Sequence, residues 1–130
     1  MSEQIHPGKL VLLVEDSVVN QKLLGVMLER EGFGFVLANN GVDAVELFRH
    51  REFDLVLMDI QMPKMDGLEA TRQIRQHEIG SGTHTPIIAV TAGMDRASCL
   101  NAGMDEYIKK PVRVDILHDI LSRSFYLVRE

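Results

Sequence analysis

Glu15 and Asp16 follow the apolar run Leu10–Val14, and Asp59 follows the run Phe53–Met58. Thr91 closes a third run, Pro86–Thr91, with Ala92 and Gly93 behind it. Lys110 and Pro111 come directly after Glu106–Lys109. Singly, each has a bland reading. An acid after an apolar run caps a helix or turns the chain, and Glu15–Asp16 would suit the positive end of a helix dipole. Thr91 could be a plain strand end and Lys110 a solvated lysine. The conjunction is harder to dismiss if all these runs are strands that end at one edge.

Three carboxylates gathered at such an edge repel one another, and a dry cluster would hold some of them protonated. A hard divalent cation such as Mg²⁺ relieves that repulsion. It takes oxygen ligands and keeps open positions that suit a phosphoryl oxygen. Lys110 adds a second positive charge and Thr91 a hydroxyl donor. That set suits phosphoryl transfer, where stabilising charge on the equatorial oxygens is most of the work. A carboxylate such as Asp59 can then act as the nucleophile and form an aspartyl phosphate.

The elements that would position these groups are legible. Lys9–Val14, Phe53–Met58 and Pro86–Thr91 are near-continuous apolar runs, which implies burial on both faces of a parallel sheet. Phe33–Ala38 and Glu106–Lys109 complete five strands. Ser17 can cap a helix through Glu31, with Gly32 beyond its end; Val19, Leu23, Val26, Met27 and Arg30 recur in it at helical spacing. Asn39 or Asn40 can cap a second helix carrying Ala44, Val45, Leu47 and Phe48. Asp66 with Glu69 three residues on resembles a capping box and starts a third. Arg96–Ala102 forms a short fourth, closed by Gly103. Val112–Arg123 forms a fifth, with Val114, Leu117, Ile120 and Leu121 on one face. The expected fold is (βα)₅, an open doubly wound α/β sheet with helices on both faces. Right-handed crossovers put every strand's carboxyl end on one edge, where such sheets bind ligands.

Composition agrees. The chain has 130 residues, one domain's worth, 45% hydrophobic and 25% charged. Its single cysteine, Cys99, cannot form an internal disulfide. No apolar run approaches the ~20 residues of a membrane helix, and the N-terminus lacks a signal-peptide layout. With 19 acids against 14 bases the net charge is −5, and no basic patch suggests direct nucleic-acid binding. The expected location is the cytoplasm. The expected layout is a tail over 1–8, a domain over 9–124 and a tail over 125–130.

The segments VLLVEDS (11–17), DLVLMDIQMPKMDGLEATRQIR (54–75), PIIAVTA (86–92) and AGMDEYIKKP (102–111) resemble the receiver domains of two-component response regulators. The resemblance runs from about Leu10 to Leu121, and the central block looks most like the receivers of hybrid histidine kinases. It implies the strand order 2-1-3-4-5 and a phosphorelay role. Asp59 would accept a phosphoryl group from phosphohistidine. Asp16, Asp59 and the Gln61 carbonyl would ligate Mg²⁺, and Glu15 would act through a metal-bound water. Lys110 would pair with a phosphoryl oxygen; Thr91 and the Ala92 N–H would hydrogen-bond the group. Tyr107 matches the aromatic switch position, so that the fourth helix, fifth strand and fifth helix would report the event. The Lys110–Pro111 bond would be cis. The implied partner is a histidine kinase or histidine-phosphotransfer domain, with Val18, Val19 and Pro111 flanking the crevice as a docking patch. Pairing of two copies through the fourth and fifth elements is an open alternative. One departure stands out: Thr91 and Tyr107 are roughly one helical turn closer in sequence than the resemblance leads one to expect.

The alternative is a small Mg²⁺-dependent aspartyl phosphohydrolase with Asp59 as nucleophile. Enzymes of the haloacid dehalogenase type carry a second aspartate two residues on as general acid, and here Gln61 stands there. A flavodoxin-like FMN binder is disfavoured by the lack of tryptophan and of a phosphate loop after the first strand. The histidines show no metal-ligand spacing, and the methionines read as gap-fillers, with Met62 and Met65 standing nearest the site.

Overall fold

A computed structural model describes residues 9–62, 64–93 and 96–129, the side chains through 124. Five strands alternate with five helices: β1 (Leu10–Val14), α1 (Val18–Arg30), β2 (Gly34–Ala38), α2 (Gly41–His50), β3 (Leu55–Asp59), α3 (Gly67–Glu78), β4 (Ile87–Thr91), α4 (Arg96–Asn101), β5 (Glu106–Lys109) and α5 (Val114–Arg129). All pairings are parallel and the order is β2-β1-β3-β4-β5. Topology and strand positions follow the sequence reading. The expected tail 1–8 and Pro63 lie outside the described residues.

Continuous apolar strands make sense because both faces of the sheet are covered. Along β1, Val11 and Leu13 pack with Leu24 and Leu28 of α1 and Leu117 and Leu121 of α5. Leu12 and Val14 face the other way, into Ala44 and Phe48 of α2, Ala70 and Ile74 of α3, and Cys99 of α4. β3 and β4 are buried at every position.

The helix ends follow their capping chemistry. Ser17, Asn40 and Asp66 each accept a hydrogen bond from the backbone N–H three residues on, a cap worth about 1 kcal/mol. Gly32 follows the α1 C-cap at φ 93°, the left-handed conformation that favours glycine.

Two helical faces and several boundaries differ from the reading; α5 starts at Val114 rather than Val112, and β3 at Leu55 rather than Phe53. In α1 the buried side is Gln21, Leu24, Gly25 and Leu28, with Met27. Val19, Leu23 and Val26 are 74%, 48% and 49% exposed, so of the residues at that helical spacing only Met27 faces the core. The reason is the register: Gly25 lets the helix settle against the Phe35 ring, which a Cβ there would meet at 2.7 Å. In α5 Leu117, Ile120 and Leu121 are buried, but Val114 is exposed. Asp59 is the last residue of β3 rather than the residue after it. α5 runs on past Arg123 to Arg129, so 125–129 continue the helix where a tail was expected.

At the opposite edge of the sheet, Arg75 of α3 ties three segments together. Its guanidinium donates to the Gly103 carbonyl (2.9 Å), Glu78 (2.7 Å), the Thr85 carbonyl (2.8 Å) and Asp105 (2.7 Å). Asp105 in turn accepts from the Ile87 N–H at 2.8 Å. The short α4 is therefore anchored at its C-terminal end, away from the carboxyl edge of the sheet.

Candidate functional site

Glu15 opens the β1–α1 loop, and its backbone is held on both sides. Its N–H donates to the Ala38 carbonyl at 3.0 Å, and its own carbonyl accepts from Gln21 Nε2 at 2.7 Å. The side chain turns inward and is 1% exposed. Oε2 accepts from the Ser17 N–H at 3.1 Å. Oε1 is buried with no hydrogen bond; Lys110 Nζ stands 3.6 Å away, close enough for charge attraction only. Asp16, the next residue, is exposed.

Asp59 ends β3 opposite Val90 of β4 and is 2% exposed. Its Oδ1 accepts from Lys110 Nζ at 3.1 Å and from the Gln61 N–H at 3.3 Å. The backbone behind it is clamped by the start of α3. Gly67 donates its N–H to the Ile60 carbonyl at 2.9 Å, and a Cβ at Gly67 would lie 2.4 Å from the Asp59 carbonyl oxygen. Only glycine allows that approach.

Thr91 ends β4, fully buried, and its Oγ1 accepts from the Gly93 N–H at 3.3 Å. Ala92 follows, exposed. Lys110 leaves β5 with its N–H bonded to the Thr91 carbonyl at 2.8 Å, and the Lys110–Pro111 bond is cis, as the resemblance implied. Tyr107 pairs with Ala89 and Lys109 with Thr91, which puts Tyr107 and Thr91 two positions apart on one sheet face. Tyr107 is half-buried against the cluster containing Met104 and Cys99. Gln61 is exposed, and its side chain lies beside Gly93.

The structure thus brings Glu15, Asp16, Asp59 and Lys110 together. One carboxylate oxygen from each acid can be chosen so that all lie within 4.8 Å of one another. Burial pushes the carboxyls of Glu15 and Asp59 above their ordinary range. For Glu15 the Ser17 N–H opposes that rise and the Asp59 charge adds to it; for Asp59 the hydrogen bond and charge of Lys110 oppose it. Two buried acids with raised affinity for protons, one exposed acid beside them and an unsatisfied Oε1 fit a hard divalent cation with oxygen ligands.

Sequence reasoning missed Gln21, Gly67 and Gly41. Gly67 had a usable signal, since a glycine directly after a helix cap tends to mark close backbone approach. Gly41 donates to the Met65 carbonyl at 3.2 Å, and a Cβ there would fall 2.3 Å from that oxygen. Gln21 carried no signal, being one polar residue on a helix.

On the apolar side of the crevice mouth, Leu23, Leu24, Val90, Pro111 and Val112 line a recess of about 260 Å³ that reaches Glu15 and Lys110. Val18 and Val19, at the start of α1, are 61% and 74% exposed. Among the described residues no helix is long and apolar enough to cross a membrane.

A family model described as the response regulator receiver domain matches residues 11–122. The chain is 39% identical over 127 residues to hybrid signal transduction histidine kinase I of Dictyostelium discoideum, covering 92% of this chain and 7% of that protein. Across the leading curated relatives the chain spans between 6% and 15% of their length. Among solved structures, it is similar to the receiver domain of the sensor histidine kinase PA1611 from Pseudomonas aeruginosa PAO1, crystallised with a magnesium ion coordinated in the active-site cleft. The TM-score is 0.81 at 42% identity, covering 89% of this chain and 96% of that one. It is also similar to the receiver domain of the Saccharomyces cerevisiae response regulator Ssk1, crystallised with the histidine phosphotransfer protein Ypd1. There the TM-score is 0.84 at 32% identity, covering 95% and 92%.

Proposed function

The chain belongs to the response regulator receiver domain family, and from that premise we propose that it is the phosphoacceptor of a phosphorelay, with Asp59 as the residue modified. The observation that carries this reading is the inward-facing Asp59, gripped through Oδ1 by Lys110 beside two further acids.

In the proposed reaction an Asp59 carboxylate oxygen attacks the phosphorus of a partner's phosphohistidine. The new P–O bond forms as the P–N bond breaks, and the imidazole nitrogen keeps the electron pair. Holding Asp59 by Oδ1 leaves Oδ2 to attack. Lys110 pairs with a phosphoryl oxygen, while Thr91 and the Ala92 N–H donate to the others. Asp16, Asp59 and the Gln61 carbonyl would hold Mg²⁺, with Glu15 acting through a bound water, and the ion would supply positive charge for the phosphoryl transfer. Hydrolysis of the acyl phosphate returns the domain to rest. Turnover of a separate substrate is not part of the reading, because the aspartate that a phosphohydrolase uses as general acid is replaced by Gln61.

The exposed Val18, Val19 and Leu23 and the recess at Pro111 and Val112 suit the apolar face of a histidine-phosphotransfer protein. The Ssk1–Ypd1 complex supports a partner of that kind. All site groups come from one chain, so the reading needs no second copy. Modification adds about −1.5 to −2 charges; Thr91 moves toward them, Tyr107 turns inward, and the α4–β5–α5 surface reports the change. Residues 9–124 are the proposed receiver unit, working in the cytoplasm.

The test is a transfer assay. A histidine-phosphotransfer protein carrying labelled phosphohistidine should pass its label to the wild-type chain in Mg²⁺. It should not pass label to Asp59→Asn or to wild type in chelator. Label that stays on the donor in the wild-type arm, or that moves equally to Asp59→Asn, overturns the reading.

A further inference from the structure

Gln21 is a buried polar side chain on the core side of α1, 9% exposed. A primary amide has two N–H groups, and the Nε2 of Gln21 makes two hydrogen bonds. One goes to the Glu15 carbonyl at 2.7 Å and the other to Asn39 Oδ1 at 2.8 Å. These contacts join two loops that no strand pairing connects beyond Val14 and Ala38.

The linkage continues. Asn39 begins the turn into α2, Asn40 caps that helix, and Gly41 donates to the Met65 carbonyl at 3.2 Å. Gly41 sits so tightly there that a Cβ would fall 2.3 Å from the Met65 oxygen. Met65 lies in the β3–α3 loop, between Gln61 and the Asp66 cap. The β2–α2 turn, residues 39–41, is thus tied through Gln21 to the loop carrying Glu15 and Asp16 and through Gly41 to the loop that follows Asp59.

We propose that Gln21 and the Asn39–Gly41 turn form a brace that sets the separation of the two acid-bearing loops, with Gln21 a positioning residue that acts through the Glu15 carbonyl. This rests on the metal-dependent reading above. The physical reason is repulsion. Three carboxylates within 4.8 Å push apart, and Asp16, exposed on a loop, is the one free to recoil. Fixing the peptide between Glu15 and Asp16 holds both side chains near where a cation needs them. The cost of drawing the acids together is then met in folding rather than at binding. Partners behind the ligands of a metal typically contribute tenfold or more to affinity.

The test measures Mg²⁺ affinity by titration calorimetry and metal-free melting temperature on the same samples. Gln21→Met keeps the volume and removes both donors; Asn39→Ala removes the acceptor at an exposed position. Ile74→Val, in the core on the opposite sheet face, is the control for simple destabilisation. The brace predicts that both test variants weaken Mg²⁺ by roughly tenfold, while Ile74→Val lowers the melting temperature at unchanged affinity. Test variants that melt lower but bind Mg²⁺ as wild type overturn it. A second readout needs no metal: in amide NMR spectra of the metal-free chain, Asn39→Ala should shift the signals of Asp16 and Ser17 and also those of Met65 and Asp66. Shifts confined to residues 38–41 overturn the brace. A wild type that takes up no Mg²⁺ while those paired shifts appear would sink the metal-dependent reading and leave the brace standing.

Discussion

Lys110 and Asp59, 51 positions apart in sequence, meet at 3.1 Å because β3 and β5 both end at the carboxyl edge, flanking β4. The ammonium is three-quarters buried and also stands 3.6 Å from Glu15 Oε1. It is thus the cation that keeps two buried carboxylates tolerable before any metal arrives. It is also placed to meet charge that develops on a transferred group.

Lys110→Met should therefore fold and still bind Mg²⁺, yet accept phosphate about a hundredfold more slowly. Removing one preorganised charge at a developing oxyanion costs about that much. Initial rates with a small phosphodonor at saturating Mg²⁺ check this; a rate within threefold of wild type, a factor worth only about 0.6 kcal/mol, would remove Lys110 from the chemistry.

Burial raises the carboxyls of Glu15 and Asp59, and the sign of the pH effect follows. Groups with raised folded-state pKa bind more protons folded than unfolded, so their contribution to stability is present in acid and lost as pH rises through the folded pKa. The metal-free domain should lose stability from this pair as pH climbs from about 4 toward neutrality. Asp59→Asn should be more stable than wild type at pH 7 without metal, with the difference shrinking in acid. Mg²⁺ should stabilise wild type at pH 7 and much less at pH 4. Urea titrations of both chains at the two pH values, with and without Mg²⁺, check each limb.

Gly67→Ala places a Cβ 2.4 Å from the Asp59 carbonyl oxygen and 2.9 Å from Met58 Cγ. A backbone oxygen cannot yield as a side chain can, so α3 must shift. The expected cost is about 1–3 kcal/mol, read by chemical denaturation, together with slower phosphate uptake because the shift is transmitted to Asp59. Wild-type stability would show that the loop relaxes freely.

Val19→Asp changes a side chain that is 74% exposed, so stability should move by less than about 0.5 kcal/mol. Transfer from a histidine-phosphotransfer protein should fall severalfold, while uptake from a small phosphodonor stays unchanged. Equal loss with both donors would move the partner's footprint off α1.

The five strands, the three acids, Thr91 and Lys110 were legible because parallel sheets leave clean marks, apolar runs with polar groups at their ends; the strand order came only with the family resemblance. Which face of α1 meets the sheet was not legible, for a physical reason. Val19, Leu23 and Val26 keep helical spacing as well as Leu24 and Leu28 do, and periodicity alone cannot say which stripe meets the sheet. The decision came from Gly25 against Phe35, a contact between segments that sequence spacing does not encode. Gln21 and Gly41 were invisible likewise, since each matters through a partner on another loop.

Phosphorylation followed by intact mass tests the central claim most directly. Incubated with acetyl phosphate and Mg²⁺, the wild-type chain should gain one hydroxylamine-labile phosphoryl group, and Asp59→Asn or chelator-treated chain should gain none. An unmodified wild type, or an Asp59→Asn chain that gains the same labile group, would contradict the account.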